Sequence, residues 1–290
     1  MATPAQWVAG ARPRTLPAAL APVLVGTGTA AALDGFRPLP ALLALVVALA
    51  LQIAVNYAND YSDGRRGTDT DRVGPMRLVG SGAAAPRHVL IAACLAFGVG
   101  ALAGLGLAAL SSWWLVAVGA VCIVAAWTYT GGPIPYGYRA LGEVFVFVFF
   151  GPVAVVGTTY VQTLTLPGLA FAVSVPIGLL IVAILVVNNL RDIDGDAAVG
   201  KRTLAVLLGD RATRLAFVGL FVVAFAVIAA VGVARPWVLL ALLASPLAAP
   251  PARTVLSGGR GTALIGALQG TGLLTLVTGV LLAAGLALSG

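Results

Sequence analysis

Long apolar stretches, separated by short polar segments, dominate the pattern along the chain. A helix needs about 20 apolar residues to cross the hydrocarbon core of a bilayer, and runs of this kind follow one another from end to end. The pattern therefore predicts an all-α, polytopic membrane bundle that forms one domain over residues 1–290. The predicted spans are residues 15–33, 39–59, 88–109, 112–130, 140–160, 168–189, 213–233, 236–254 and 262–287.

Composition supports a membrane protein. The 290 residues are 60% hydrophobic and 9% charged, with a mean hydropathy of +1.03, whereas soluble domains are about half apolar and about a quarter charged. The net charge of +7 could suggest nucleic-acid binding, but the basic residues lie in short loops between the predicted spans. We therefore expect membrane lipid as the surroundings, a multi-pass location in the cell (plasma) membrane, and no nucleic-acid partner.

Lysine and arginine predict the orientation of the bundle, because cytoplasmic loops collect these residues. With nine spans and a cytoplasmic N-terminus, the basic residues fall almost entirely on the inner side, and only Arg37 and Arg235 lie outside. The inverse orientation would place nearly all of them on the wrong side. The distribution therefore favours a cytoplasmic N-terminus and an active-site cavity that opens to the cytoplasmic side.

Two polar islands interrupt the apolar pattern, and both lie on the predicted cytoplasmic side. Together they hold seven of the ten acidic residues. Carboxylates at the edge of a membrane are energetically unfavourable, so their presence usually indicates a function. The first island contains Asn56, Asp60 and Asp63, followed by Asp69 and Asp71, and the second contains Asn188, Asp192, Asp194 and Asp196.

The spacing within each island predicts a ladder of side chains. Residues three or four apart lie on one face of a helix, so Asn56, Asp60 and Asp63 should project together from the end of the second span. Asn188, Asp192 and Asp196 should do the same at the end of the sixth. Mg²⁺ prefers oxygen ligands and shares its coordination positions with water and substrate phosphate. The alternative is that the acids cap helix ends or pair with neighbouring arginines, and for Asp194, off the face of its ladder, this alternative has equal weight.

Basic residues crowd the same segments and are candidates to bind a diphosphate. Arginine offers a planar fork of donors suited to phosphate, while lysine supplies a compact charge, and Lys201 is the only lysine in the chain. The alternative for each is the general excess of basic residues on the cytoplasmic side. The candidates are Arg72, Arg77, Arg139, Arg191 and Lys201.

Four sequence blocks together resemble the UbiA superfamily of intramembrane aromatic prenyltransferases. They are WVAGARPRTLPAALAPVLVGT, NYANDYSDGRRGTDTDRVGP, YTGGPIPYGYRALGEVFVFVFFG and NNLRDIDGDAAVGKRTLAV, and the resemblance covers nearly the whole chain. Asn188 replaces the first acid of the second family motif, as in the menaquinone branch of the superfamily. Gly67 replaces an acid that some relatives place four residues after Asp63.

The resemblance implies a reaction and a set of roles. It implies that a polyprenyl group passes from polyprenyl diphosphate to 1,4-dihydroxy-2-naphthoate, which loses its carboxylate, with Mg²⁺ as the cofactor. Arg14 would hold the acceptor carboxylate or the diphosphate, and Tyr129 and Tyr136 would shield a carbocation by their ring faces or anchor the chain at the membrane interface. The implied metal ligands are Asp60, Asp63, Asp192 and Asp196, and the implied catalytic residues are Asp60, Asp192, Asn56 and Asn188.

Two alternative functions remain open at this stage. A UbiA-type enzyme could prenylate a different aromatic acceptor. A protein of another class, an ion-coupled membrane transporter, would also need acids within the membrane, but transporter sites usually lie near the midplane. The islands lie at one edge, which favours the enzyme.

Overall fold

The computed structural model describes residues 2–67 and 76–290, and this part of the chain is helical. Arg72, a predicted diphosphate ligand, lies outside the described residues, as do Asp69 and Asp71. Short 3-10 helices cover Pro13–Thr15 and Tyr136–Tyr138, a longer one covers Pro236–Ala248, and a π-helix covers Phe149–Val153. The α-helices are α1 Pro4–Ala11, α2 Pro17–Ala31, α3 Pro38–Arg66, α4 Pro86–Leu110, α5 Leu115–Thr128, α6 Gly142–Val148, α7 Ala154–Thr163, α8 Gly168–Arg191, α9 Ile193–Ala198, α10 Leu204–Ala234, α11 Ala249–Leu256 and α12 Thr262–Ala287.

Each predicted span coincides with an apolar helical segment, so the all-α membrane fold is confirmed. Among the described residues, seven helical segments are long and apolar enough to cross a membrane. Helices α2 and α5 have 15 and 14 residues, or roughly 22 Å at about 1.5 Å per residue, which is less than the roughly 30 Å hydrocarbon core. The count of nine spans and the cytoplasmic N-terminus therefore stay predictions. The seven segments are Pro38–Arg66, Pro86–Leu110, Gly142–Thr163, Gly168–Arg191, Leu204–Ala234, Pro236–Leu256 and Thr262–Ala287.

Helix α8 lies at the centre of the bundle. It packs against α2, α6, α10 and α12. Side chains such as Leu180, Ala183 and Val187 are fully buried in one apolar cluster, while Ile177 belongs to a second cluster shared with α2 and α12. Because α8 carries the second polar island at its C-terminal end, its packing fixes the position of that island.

Helix α3 ends shortly after Asp63 of the first polar island. Gly67 adopts a left-handed conformation with a φ of 72°, and its N–H bonds to the carbonyl groups of Asp63 and Gly64. Glycine has no Cβ that would clash in this conformation, which makes it a common helix terminator. Asn56, Asp60 and Asp63 therefore lie in the last turns of α3.

Small residues allow several helices to approach closely. A methyl group added at Gly28 of α2 would lie 2.5 Å from the carbonyl oxygen of Ala283 in α12, so the two backbones are in contact. Gly151 and Gly178 form a similar contact between the π-helix and α8. Pro152 lies in that π-helix, and proline is a common cause of such a break. Close packing of this kind stabilises helix pairs in lipid.

Candidate active site

The described residues of the first polar island lie towards the C-terminal end of α3. Asn56, Asp60 and Asp63 are all buried, and Asp60 is only 1% exposed. The two carboxylate oxygens of Asp60 accept hydrogen bonds from the backbone N–H groups of Leu78 at 2.7 Å and Val79 at 3.0 Å. Asp60 therefore also holds the segment that follows the first island.

The N-terminal segment lies over the same part of α3. Asn56 donates hydrogen bonds to the carbonyl oxygen of Ala11 at 2.9 Å and to the hydroxyl of Thr15 at 3.0 Å. Arg12, which has a left-handed backbone with a φ of 54°, lies close enough to Asp60 for its charge to act on the carboxylate. Arg14, the predicted acceptor ligand, is exposed on the adjoining 3-10 turn. Sequence reasoning did not single out Arg12.

The second island is not one continuous helical ladder, so the prediction of a single ladder is wrong. Helix α8 ends at Arg191, Asp192 has φ −95° and ψ 6°, and Asp196 lies on the separate short helix α9. Arg191 binds both carboxylate oxygens of Asp192, at 2.7 and 2.8 Å, and the amide oxygen of Asn188 at 2.9 Å. Consecutive residues of a regular helix do not face each other. The contact between Arg191 and Asp192 therefore occurs at the point where the helix is interrupted.

Tyr138 connects the two islands. Its hydroxyl donates a hydrogen bond to Asp63 at 2.7 Å, and the ammonium nitrogen of Lys201 lies 5.3 Å from the centre of its ring. Lys201 in turn pairs with Asp196 at 3.2 Å. The backbone N–H of Arg202 also donates to the carbonyl oxygen of Tyr138 at 3.1 Å. A continuous chain of polar contacts therefore runs from α3 through Tyr138 to α9.

An aromatic wall stands beside this chain. The rings of Tyr129 and Tyr136 meet edge to face, with centres 5.4 Å apart, and Tyr136 stacks on Phe145 with centres 4.1 Å apart. Burial raises the pKa of the Tyr136 phenol, which lies in the loop after α5. A tyrosine phenol ordinarily titrates near pH 10, so both rings are neutral at physiological pH.

Glu143 is a buried carboxylate that sequence reasoning missed. It lies in the first turn of α6 and accepts a hydrogen bond at 2.9 Å from the side-chain amide of Asn189, the residue after Asn188. Glu143 also interacts electrostatically with Lys201. A lone acid inside the apolar run 140–160 was the available signal, since ionisable residues in such runs are usually functional.

The sequence model of the UbiA prenyltransferase family matches residues 19–260, which include both islands and Tyr138. The chain belongs to the UbiA prenyltransferase family. It is accordingly a multi-pass membrane protein and a prenyltransferase.

Curated UbiA relatives are similar over most of the chain. The chain is 56% identical to a protein of Mycobacterium tuberculosis (strain ATCC 25618 / H37Rv), over 99% of this chain and 98% of the relative. It is 53% identical to a protein of Mycobacterium leprae (strain TN), over 100% and 99%, and 40% identical to one of Escherichia coli (strain K12), over 86% and 84%. All three relatives are named 1,4-dihydroxy-2-naphthoate octaprenyltransferase.

Solved UbiA structures share the fold. The apo structure of a UbiA homologue from Aeropyrum pernix K1 superposes with a TM-score of 0.67 at 18% identity, covering 92% of this chain and 96% of that one. A UbiA homologue from Archaeoglobus fulgidus, bound to DMAPP and Mg²⁺, gives a TM-score of 0.60 at 16% identity, covering 96% and 99%. At these identities the likeness establishes the helical architecture.

The UbiA site has the donor chemistry for Mg²⁺. Within residues 2–67 and 76–290, no group of three acidic, histidine or cysteine side chains gathers tightly enough to hold a metal by itself. Mg²⁺, however, is usually bound through one or two carboxylates and completed by water and substrate phosphate. The buried carboxylates of Asp60, Asp63 and Asp196 fit that requirement, since they offer hard oxygen donors beside the cationic groups that a diphosphate needs.

The predicted diphosphate-binding residues of this UbiA chain differ in burial and in the acidic residues they contact. Arg77 is buried, with its guanidinium 3.8 Å from Asp63, and Lys201 is partly buried at Asp196. Arg139 is exposed, although its backbone forms an isolated parallel bridge with Arg202. Asp194 is exposed and lies 3.9 Å from Arg260, which agrees with the surface pairing considered for it from the sequence.

Proposed function

We propose that the chain transfers a polyprenyl group from polyprenyl diphosphate to 1,4-dihydroxy-2-naphthoate. The acceptor loses its carboxylate, and the products are demethylmenaquinone in its quinol form, carbon dioxide and diphosphate, made at the plasma membrane for menaquinone biosynthesis. The names of the curated relatives support this choice of acceptor. The observation that carries the chemistry is the contact chain from Asp63 through Tyr138 and Lys201 to Asp196, because it brings the two acidic islands together.

The electron balance of the reaction explains the residue types. The allylic C–O bond breaks and its electron pair leaves with the diphosphate, and the ring carbon that bears the carboxylate then supplies the pair for the new C–C bond. The C–COO⁻ bond breaks last and returns its electrons to the ring as carbon dioxide leaves. Negative charge therefore develops on the diphosphate, and cations fixed beside it stabilise the transition state more than the ground state.

The residues have distinct roles in this proposal. Lys201 and Arg77 bind the diphosphate from buried or partly buried positions, and Arg139 and Arg191 extend the same cationic surface. Asp60, Asp63, Asp192 and Asp196 would hold Mg²⁺, which when bound would offset the charge of the leaving group. Arg72 has the same assignment as the other basic residues but lies outside the described part of the chain.

Positioning and shielding complete the site. Asn56 fixes the turn that carries Arg14, which we assign to the acceptor carboxylate, and Asn188 holds the Arg191 side chain. Tyr129 and Tyr136 present neutral ring faces to the allylic cation, a favourable cation–π arrangement. Because their phenols stay protonated, they do not add a nucleophilic phenolate that would compete with the acceptor ring.

Purified protein in lipid nanodiscs tests the proposal directly. The protein is incubated with carboxyl-labelled dihydroxynaphthoate, Mg²⁺ and a mixture of prenyl diphosphates of different lengths. We expect label to leave as carbon dioxide in step with a prenylated product found by mass spectrometry, and chelation of the metal to stop both. Prenylation of 4-hydroxybenzoate or homogentisate in preference to dihydroxynaphthoate would contradict the acceptor assignment.

A further inference from the structure

Gln52 is a buried polar residue on the same face of α3 as the first island. It precedes Asn56 by four residues and Asp60 by eight, so the three side chains follow one another along that face. Gln52 is 7% exposed and lies about 12 Å along the helix axis from Asp60, at about 1.5 Å per residue. It therefore occupies the deeper end of the same row of side chains.

The hydroxyl of Thr15 determines the orientation of the Gln52 amide. That hydroxyl donates its single proton to the carbonyl oxygen of Arg12 at 2.9 Å, and its oxygen accepts from the amide groups of Asn56 at 3.0 Å and Gln52 at 3.1 Å. A hydroxyl has one proton to donate, so Thr15 cannot also donate to Gln52. The nitrogen of the Gln52 amide must face Thr15, and its oxygen must face elsewhere.

The Gln52 amide oxygen has no hydrogen-bond donor among residues 2–67 and 76–290. Burying such an acceptor without a partner is unfavourable, because the oxygen loses its hydrogen bonds to water and forms none within the protein to replace them. Gln162, a buried amide in α7, shows the ordinary arrangement. Its oxygen accepts from the backbone N–H of Arg37, and its nitrogen donates to Thr27 and to the carbonyl oxygen of Thr158.

We propose that the amide oxygen of Gln52 accepts a hydrogen bond from a ring hydroxyl of the aromatic acceptor. The inference rests on the proposed function and adds a residue that recognises the substrate. A prenyl chain carries no hydrogen-bond donor, and an ionised diphosphate is an acceptor, so the aromatic hydroxyl is the donor among the substrates. The adjoining turn carries Arg14, assigned to the carboxylate of the same ring, so one small region would bind both polar parts of the acceptor.

Gln52→Met tests the inference, because methionine keeps the length and unbranched shape of the side chain but has no amide oxygen. The acceptors compared are dihydroxynaphthoate and its two mono-O-methyl ethers, in each of which one hydroxyl can no longer donate. We expect the variant to lower kcat/KM for dihydroxynaphthoate by about five- to tenfold, as for the loss of one hydrogen bond. The KM for prenyl diphosphate should stay unchanged, and wild-type preference for the free hydroxyl over one of the two ethers should fall to near unity.

Gln162→Met is the matched control, since it removes a buried amide whose partners are all within the protein. It should lower the thermal unfolding midpoint and leave the preference between dihydroxynaphthoate and both ethers unchanged. Gln52→Asn keeps an amide, but its side chain is one methylene shorter, so the amide oxygen no longer reaches the same position. It is a second test of the contact if the Gln52→Met protein does not fold. We expect it to lose the same preference.

The outcomes separate the inference from the proposed function. If wild-type protein prenylates dihydroxynaphthoate but Gln52→Met and Gln52→Asn keep the wild-type preference against both ethers, the Gln52 contact is refuted and the proposed function stands. Water bonded to the amide oxygen would give that result. If wild-type protein does not prenylate dihydroxynaphthoate, the proposed function fails first, and the assignment of Gln52 to this acceptor fails with it.

Discussion

Tyr138 donates a hydrogen bond to Asp63 over 2.7 Å, and this contact joins the loop before α6 to the end of α3. The same ring lies beneath the ammonium of Lys201, which pairs with Asp196. One tyrosine therefore contacts a residue of the first acidic island through its hydroxyl and the cationic partner of the second island through its ring. The two contacts can be separated experimentally, because they use different parts of the side chain.

Tyr138→Phe should weaken catalysis without displacing Lys201. The variant removes the hydrogen bond to Asp63 but keeps the ring under the ammonium. Hydrogen bonds to charged groups contribute about 1.5–3 kcal/mol, so we expect kcat/KM to fall roughly tenfold to a hundredfold. Tyr160→Phe is the control, because Tyr160 accepts a hydrogen bond from Trp114 at the far end of the segment Gly142–Thr163. Equal kinetics for wild type and Tyr138→Phe would show that the contact does not matter.

Asp60→Ala and Asp192→Ala should each abolish most turnover. Both remove a carboxylate assigned to Mg²⁺, and we expect the rate to fall by about a hundredfold or more, as when a preorganised electrostatic group is lost from an active site. Circular dichroism and gel filtration would check that the helical fold persists. Asp194→Ala, which changes an exposed acid of the same island, should keep wild-type activity. Near-wild-type rates in either of the first two variants would count against the metal assignment.

Lys201→Gln should affect one substrate more than the other. The ammonium at the end of the contact chain is assigned to the diphosphate, and its loss should raise the KM for prenyl diphosphate by about tenfold, as for the loss of a charged hydrogen bond. The KM for the aromatic acceptor should change little. Arg202→Gln removes the neighbouring exposed charge and is the matched control. Equal losses for both substrates in Lys201→Gln would refute the role proposed for the lysine.

Gly28→Ala should destabilise the bundle. The new methyl group would lie within 2.6 Å of backbone atoms of Ala283, which cannot rotate away as a flexible side chain can. Overpacking of this kind costs about 1–3 kcal/mol, so the unfolding midpoint in detergent should fall. Gly266→Ala in α12 meets no atom within 4 Å and should leave stability unchanged or raise it slightly. The same midpoint for both variants would contradict the close approach of α2 and α12.

The length of apolar runs predicted the helical segments well, because a segment within lipid must satisfy its own backbone hydrogen bonds, and a helix does so. Interruptions within those segments were not predicted. The π-helix at Phe149–Val153 and the break at Asp192 depend on local backbone geometry and on side-chain pairing. Pro152 was a visible signal for the first of these, whereas the pairing of Arg191 with Asp192 had none.

The candidate site was predictable by residue type but not by partner. Spacing placed Asn56, Asp60 and Asp63 on one face of a helix, and the structure has all three buried on α3. Which groups they contact depends on how the N-terminal turn and the loop before α6 pack over that face. The positions of Arg12 near Asp60 and of Tyr138 against Asp63 follow from that packing, so periodicity alone could not reveal them.

The bonds from Leu78 and Val79 to Asp60 leave the carboxylate with capacity to spare. Each oxygen of a carboxylate can accept about two hydrogen bonds or ligands, and in the described part of the chain each oxygen of Asp60 accepts one backbone N–H. The two hydrogen bonds fix the orientation of the carboxylate, and with it the direction of the remaining lone pairs. A cation that binds to Asp60 would therefore cost little side-chain conformational entropy.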